Sequence, residues 1–149
     1  MMQWSGVKRA LVSGVCAAAV AAGGFGVAAA QDALTEETYG PTMAEIRLIV
    51  GDAELHTDAR YWPELGEDLD KLFPMFRQIE AFWGERGNDD AVARTLTTIE
   101  ALREIGQAGI AMDQGSARSG IRALRATCQS CHDAHREETA DGYRIKPGS

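Results

Sequence analysis

The chain has 149 residues, with 15 lysine and arginine residues against 22 aspartate and glutamate residues, so its formal net charge at pH 7 is −7. This acidic balance disfavours nucleic acid and anionic lipid as partners. It suits docking onto a basic patch of another protein, and it serves equally well to keep the chain soluble.

Residues 1–30 are predicted to be a secretory signal peptide. They contain no acidic residue, carry Lys8 and Arg9 early, and continue as a stretch rich in alanine, glycine and valine, which is typical of a leader cleaved near Ala30. An uncleaved membrane anchor is the alternative, but alanine and glycine give only a modest drive for insertion. Cleavage would leave residues 31–149 as one periplasmic domain, with 13 basic against 22 acidic residues and a net charge of −9.

The first predicted helix is short. Residues 33–40 are polar and are expected to form an irregular lead-in, Pro41 permits a helix start, and the apolar pattern stops before Gly51. Its apolar positions are Met43, Ile46, Leu48, Ile49 and Val50.

The second predicted helix begins at Pro63 and reaches Trp83. Because Pro74 removes a backbone donor from its interior, we expect a kink or break near Phe73. Its apolar residues recur at three- and four-residue steps and are Leu65, Leu69, Leu72, Phe73, Phe76, Ile79, Phe82 and Trp83.

Two more helices complete the predicted fold. The third is capped by Asn88 and runs to about Met112, and the fourth runs from about Ser116 to Thr139. The apolar side of the third is formed by Leu96, Ile99, Leu102, Ile105, Ile110 and Met112. Four helices joined by short loops predict an all-α, antiparallel four-helix bundle.

Cys128, Cys131 and His132 form a C-x-x-C-H motif, which marks covalent attachment of haem c. Two thiols three positions apart can each add to a haem vinyl group, and the adjacent histidine then becomes the proximal axial ligand of the iron. A thioredoxin-like redox pair usually opens a helix after a strand, and a structural zinc site needs a second ligand pair that the chain lacks. Cys16 lies in the predicted leader, so no disulfide framework remains after cleavage.

Helix geometry places the motif on one face. At about 100° per residue, Cys131 lies about 60° to one side of Cys128 and His132 about 40° to the other. Ile121 and Leu124 extend this face, and we expect them to pack on the porphyrin. The basic edge beside it consists of Arg118, Arg122, Arg125 and Arg136. One or two of these arginines would pair with haem propionates, or the edge is simply solvated.

The pattern resembles the class II c-type cytochromes, the cytochrome c-prime group, in which the haem motif lies near the C-terminus of a four-helix bundle. The resemblance rests on Cys128, Cys131 and His132, followed by the acidic Asp133 and by the basic Arg136 four residues after the histidine. It implies one covalently bound haem c, with His132 as the proximal ligand.

The chain departs from the family in three places. The segment 73–88 is shorter and differently broken than in typical members. His135 occupies a position that is often aromatic, so it either packs as an aromatic substitute or titrates beside the site. The distal methionine of the family commonly follows an arginine by four residues, whereas Arg47 is followed at that spacing by Gly51.

The far side of the iron divides the family by function. Members with an apolar residue there are five-coordinate and bind small gases, whereas members with a methionine from the first helix are six-coordinate electron carriers. Met43 is the methionine of the first predicted helix and is the candidate distal ligand; the alternative is that it fills core space. Weaker candidates are Met75, Met112 and His56.

The resemblance therefore implies a periplasmic monohaem electron carrier, with a five-coordinate binder of nitric oxide or carbon monoxide as the alternative. An enzyme such as a small peroxidase is disfavoured, because only His56 could serve as a distal acid or base. The expected partners are redox proteins with a basic docking patch. A homodimer is common in the family, and its aromatic anchors would be Trp62, Phe82 and Trp83, unless these are core residues.

Overall fold

The computed structural model describes residues 33–149, and the predicted signal peptide over residues 1–30 lies outside this range. The helices are α1 (Glu36–Ala59), α2 (Trp62–Glu85), α3 (Asp89–Ile110) and α4 (Gln114–His135), and the strands are β1 (Arg136–Thr139) and β2 (Gly142–Ile145). Four helices make up most of the described chain, as predicted. Within residues 33–149, no helix is both long enough and apolar enough to cross a membrane.

α1 begins earlier and ends later than the sequence predicted. The Thr35 hydroxyl accepts a hydrogen bond from the Thr38 N–H (3.3 Å), and the Thr35 N–H donates to the Thr38 hydroxyl (2.9 Å). This reciprocal capping box starts the helix ahead of Pro41. Beyond Gly51 the buried face continues to Thr57, so core packing carries the helix past the glycine.

α2 has Pro63 in its first turn, as predicted, and it continues through Pro74. The predicted break near Phe73 is therefore wrong, while a kink there stays a prediction. Leu72 and Phe76 flank Pro74 and are both buried. Their packing keeps the two halves in one helix despite the hydrogen bond that the proline removes.

α3 starts at the predicted cap, where the Asn88 side chain accepts a hydrogen bond from the Ala91 N–H (2.9 Å). Its predicted apolar side is wrong at Leu96, Ile110 and Met112, which are 43%, 86% and 70% exposed. A β-carbon on Gly109 would lie 3.3 Å from a methyl group in the first turn of α2. Ile110 and Met112 follow Gly109 and therefore extend past the N-terminal end of α2, the helix that would cover them.

The last helix ends at His135, and the prediction that it reaches Thr139 is wrong. Arg136 is extended (φ −114°, ψ 138°) and begins an antiparallel β-hairpin in which it pairs with Ile145, while Thr139 pairs with Gly142. Ile145 packs against the hydrophobic core. The fold is thus four helices with a short hairpin rather than purely α-helical.

Consecutive helices pack against each other, and α1 also contacts α4, which is consistent with a helical bundle. The fully buried large side chains include Leu65, Leu72, Ile79, Trp83, Ile99, Leu102, Ile105 and Leu124. Phe82 and Trp83 are 3% and 1% exposed, so they are core residues and not surface anchors for a dimer. Trp62 is half-buried, and a homodimer stays a prediction.

Candidate functional site

The C-x-x-C-H residues lie in the last turns of α4. Cys128 and Cys131 are free thiols, both partly exposed, and His132 is also partly buried. Because α4 is a continuous helix to His135, residues three and four positions apart lie on one face. Both thiols and the imidazole are therefore on the same side of the helix, as the sequence predicted.

The protonation states of these groups follow from their partial burial. Burial raises the pKa of the Cys128 and Cys131 thiols, and the charges of Arg125 and Arg94 respectively oppose this. Burial lowers the pKa of His132, and the positive charge of Arg136 lowers it further. These shifts favour neutral thiols and a neutral imidazole, which is the form of histidine that binds a metal.

The His132 imidazole makes no hydrogen bond or ion pair with any other residue in the range 33–149. Its backbone carbonyl, by contrast, accepts the N–H of Arg136 at the end of the helix. The backbone of His132 is thus fixed, while its ring nitrogens have no partner in the described part of the chain.

An aromatic cluster from α1 and α2 packs against the C-terminal end of α4, at His135. Trp83 Nε1 donates a hydrogen bond to the Tyr39 hydroxyl (3.0 Å), and the Tyr39 ring lies 4.7 Å from that of Phe82. Burial raises the pKa of Tyr39, and the Cys131 thiol is close enough to add to this shift. Tyr39 was not predicted as part of a site, because it falls in the expected irregular lead-in. Its spacing of four residues from Met43 was the signal that could have placed both on one helix face.

α3 holds the motif from the other side. Arg94 donates to Asp90 Oδ2 (2.7 Å), to the Ser130 carbonyl (3.3 Å) and to the Ser130 hydroxyl. His135 Nε2 is 2.8 Å from the same Asp90 oxygen, and its ring centroid is 5.3 Å from that of Trp83. His135 therefore packs as an aromatic group and also makes a polar contact. Ser130 lies between the two cysteines, so Arg94 bonds α3 directly to the motif.

The other residues predicted around the haem have partners within the protein. Ile121 and Leu124 are buried in the core cluster. Arg125 pairs with Glu54 of α1, and Arg136 lies 4.2 Å above the Tyr143 ring centroid. Their contact with a porphyrin stays a prediction. Arg118, on the same basic edge, likewise pairs with Asp58 (2.6 Å).

A cleft of about 250 Å³ lies between α1 and α4, and it is lined by Glu54, Thr57, Asp58, Arg118, Ile121 and Arg122. It is smaller than the roughly 300–1,000 Å³ typical of ligand pockets. Ile121 precedes Cys128 by about two helical turns, so the cleft adjoins the motif without containing it.

The candidate distal ligands are at different distances from the motif. Met43 of α1 and Met75 of α2 are partly buried against the core. His56 is bonded to Asp68 (2.7 Å) and lies about 26 Å along α1 from Tyr39. Met112 lies past the opposite end of α3 from Asp90, about 33 Å away along that helix. His56 is engaged by Asp68 and Met112 is far from Asp90, so both stay the weaker candidates.

The donor set fits a porphyrin-bound iron better than a directly bound ion. Among residues 33–149 no group of three or more histidine, cysteine, aspartate or glutamate side chains is arranged to hold a metal ion. A haem iron takes its equatorial ligands from the porphyrin and needs only axial ligands from the protein. The His132 imidazole, which has no partner among residues 33–149, could supply one axial ligand, and the two free thiols on the same face could attach the porphyrin.

Comparison with protein-family models, with curated proteins and with solved structures finds no match to this chain. The resemblance to class II c-type cytochromes therefore rests on the motif itself, from Cys128 to Arg136, and on the four-helix fold.

Proposed function

We propose that this chain is a monohaem c-type cytochrome that carries single electrons, with haem c attached through Cys128 and Cys131 and with His132 as the proximal ligand. The observation that carries the proposal is the common face of α4, on which two free thiols adjoin a neutral imidazole that has no partner in the described part of the chain. Bound haem would supply one-electron exchange between Fe(III) and Fe(II).

The neighbouring residues have separate tasks in this proposal. Arg94 holds the turn between the two thiols through Ser130, so the attachment points stay in place. The aromatic cluster of Tyr39 and Trp83 packs against His135, one helical turn after Cys131. Gln129 and Asp133 are exposed, which leaves the outer edge of the motif accessible to a redox partner.

An antiparallel bundle would bring Met43 toward the motif. Asp58 follows Glu54 on α1, but its partner Arg118 precedes Arg125 on α4, which supports opposite directions for the two helices. With the two helices in opposite directions, residues nearer the start of α1 lie opposite residues nearer the C-terminal end of α4.

Met43 lies one turn after Tyr39, about 6 Å along α1 and on the same face. Tyr39 is linked to the end of α4 through Trp83, whose ring lies 5.3 Å from that of His135, and Met43 is partly buried against the core. These positions support Met43 as the sixth ligand, and hence an electron carrier rather than a five-coordinate gas binder.

Covalent attachment is tested by expressing the chain with a c-type maturation system. We expect a haem that resists acid extraction and a haem-bearing peptide that contains both cysteines of the motif. Cys128→Ala and Cys131→Ala should each lose one thioether bond, whereas Gln129→Ala should keep both. Full-length protein that carries no covalent haem would refute the proposal.

The distal ligand is tested by absorption spectra of the reduced and oxidised holoprotein. We expect a low-spin spectrum that becomes high-spin in Met43→Ala and is unchanged in Met75→Ala, which removes the other partly buried methionine. A high-spin wild-type spectrum that shifts on addition of nitric oxide would favour the gas-binding alternative.

Export and partner choice complete the proposal. Mass analysis of protein from the periplasm is expected to give a chain that begins near Gln31.

Electron transfer to a partner with a basic patch should slow as ionic strength rises, because screening weakens the attraction to an acidic protein. His56, the candidate acid or base for an enzyme, is engaged by Asp68 (2.7 Å), which supports an electron carrier over an enzyme.

A further inference from the structure

The C-terminal hairpin is fastened to the end of α4. The Lys146 N–H donates to the His135 carbonyl (2.8 Å), and its ammonium group donates to the Asp133 carbonyl (2.7 Å). Ile145, one residue earlier, packs against the core. The hairpin is therefore held to the helix that carries the motif by both polar and apolar contacts.

Arg136 links the hairpin to His132. Its N–H donates to the His132 carbonyl, and the same residue is the first of β1. Its guanidinium carbon lies 4.2 Å above the ring centroid of Tyr143 on β2. Since Arg136 pairs with Ile145, Tyr143 is its diagonal neighbour on the same face of the hairpin.

The aromatic contact limits where the Arg136 charge can lie. A long arginine side chain at a surface otherwise samples many rotamers, and a ring face reduces that freedom. The Arg136 N–H donates to the His132 carbonyl one helical turn away, so a guanidinium held over the Tyr143 ring stays near the residue that carries the imidazole. Glu137 lies on the opposite face of the hairpin and pairs with Arg144 (2.5 Å), so it does not neutralise Arg136.

We propose that Tyr143 is a positioning residue that holds the Arg136 guanidinium beside His132 and thereby raises the reduction potential of the haem. This inference rests on the proposed function. A fixed positive charge near the proximal ligand disfavours the oxidised state, which carries one more positive charge on the iron. Arg136 supplies the charge, and Tyr143 acts only through it.

The test is a double-mutant cycle on the holoprotein, read as the midpoint potential by spectroelectrochemistry. We expect Tyr143→Leu and Arg136→Met each to raise the ratio of oxidised to reduced protein about threefold at equilibrium with a reference redox couple. For one electron this corresponds to a potential about 28 mV lower. The double variant should be no lower than Arg136→Met, because Tyr143 has no separate effect.

Two further variants separate positioning from damage to the fold. Tyr143→Phe keeps the ring face and should keep the wild-type potential, whereas Tyr61→Leu removes an exposed tyrosine at the α1–α2 junction and should also leave the potential unchanged. An unchanged potential in Tyr143→Leu, or additive shifts in the double variant, would overturn the inference. Failure of the proposed function is distinct, because wild-type protein would then bear no haem to titrate.

Discussion

Gly120 sets how closely α4 approaches α3, and adding one methyl group there tests the packing that seats the motif helix. A β-carbon at this position would lie 2.6 Å from Ile105 Cγ1 and 3.4 Å from the Ile105 backbone nitrogen. Cγ1 is next to the Ile105 main chain and cannot swing away as a side-chain tip can. Gly120→Ala therefore forces α3 and α4 apart.

Two opposing effects set how much Gly120→Ala changes the free energy of unfolding. Overpacking a well-packed core costs about 1–3 kcal/mol, and replacing glycine by alanine in a helix returns about 1 kcal/mol. Gly51 of α1 provides the matched control, because a β-carbon there would meet nothing within 4 Å. Gly51→Ala should gain about 1 kcal/mol, and the difference between the two variants isolates the overpacking cost of about 1–3 kcal/mol.

The assay is urea denaturation followed by far-UV circular dichroism, with thermal melting as a second measurement. We expect Gly51→Ala to melt above the wild type and Gly120→Ala to melt below Gly51→Ala by about 3–10 °C. If the two variants were equally stable, the close approach of α3 and α4 at Gly120 would be refuted.

Two further predictions concern the contacts between α3 and the motif. Arg94→Met removes the bonds to Ser130, so amide hydrogen exchange in the motif should be faster than in Arg103→Met, whose arginine pairs within its own helix; equal exchange would contradict this role. Arg94, and to a lesser extent His135, lower the pKa of the Asp90 carboxyl by hydrogen bonding. The ionised Asp90 therefore stabilises the fold above the ordinary carboxyl pKa, and this stabilisation is lost as the pH falls through the lowered pKa of Asp90. Denaturation profiles from about pH 7 to pH 3 should therefore show a smaller acid loss for Asp90→Asn than for wild type, and identical profiles would contradict the assignment.

Local signals in the sequence were enough to predict α2 and the start of α3. Asn88 was identified as a cap and is one, and the apolar spacing of α2 fixed its extent to within a few residues. α1 was placed too late because Pro41 is a stronger start signal than a Thr35–Thr38 pair. Both are compatible with a helix start, and only the contacts of the folded chain select between them.

The hairpin and the surroundings of the motif could not be predicted from local patterns. Arg136–Thr139 is polar throughout and lacks the apolar alternation of a strand, so it looked like a continuation of α4. The Arg94–Ser130 and Tyr39–Trp83 contacts join residues 36 and 44 positions apart. Their pairing depends on how the helices pack, which a single sequence does not reveal.

The two halves of α4 are held in different ways, and this division suits the proposed function. Within α4, all of which the structure describes, the buried residues end at Leu124, so the core fixes only the N-terminal half. The half that contains Cys128 and His132 is only partly buried against the core, and polar contacts from α3 and from the hairpin also hold it. A flat, largely apolar group could therefore join that half without opening the core that folds the chain, because Cys128, Cys131 and His132 are only partly buried.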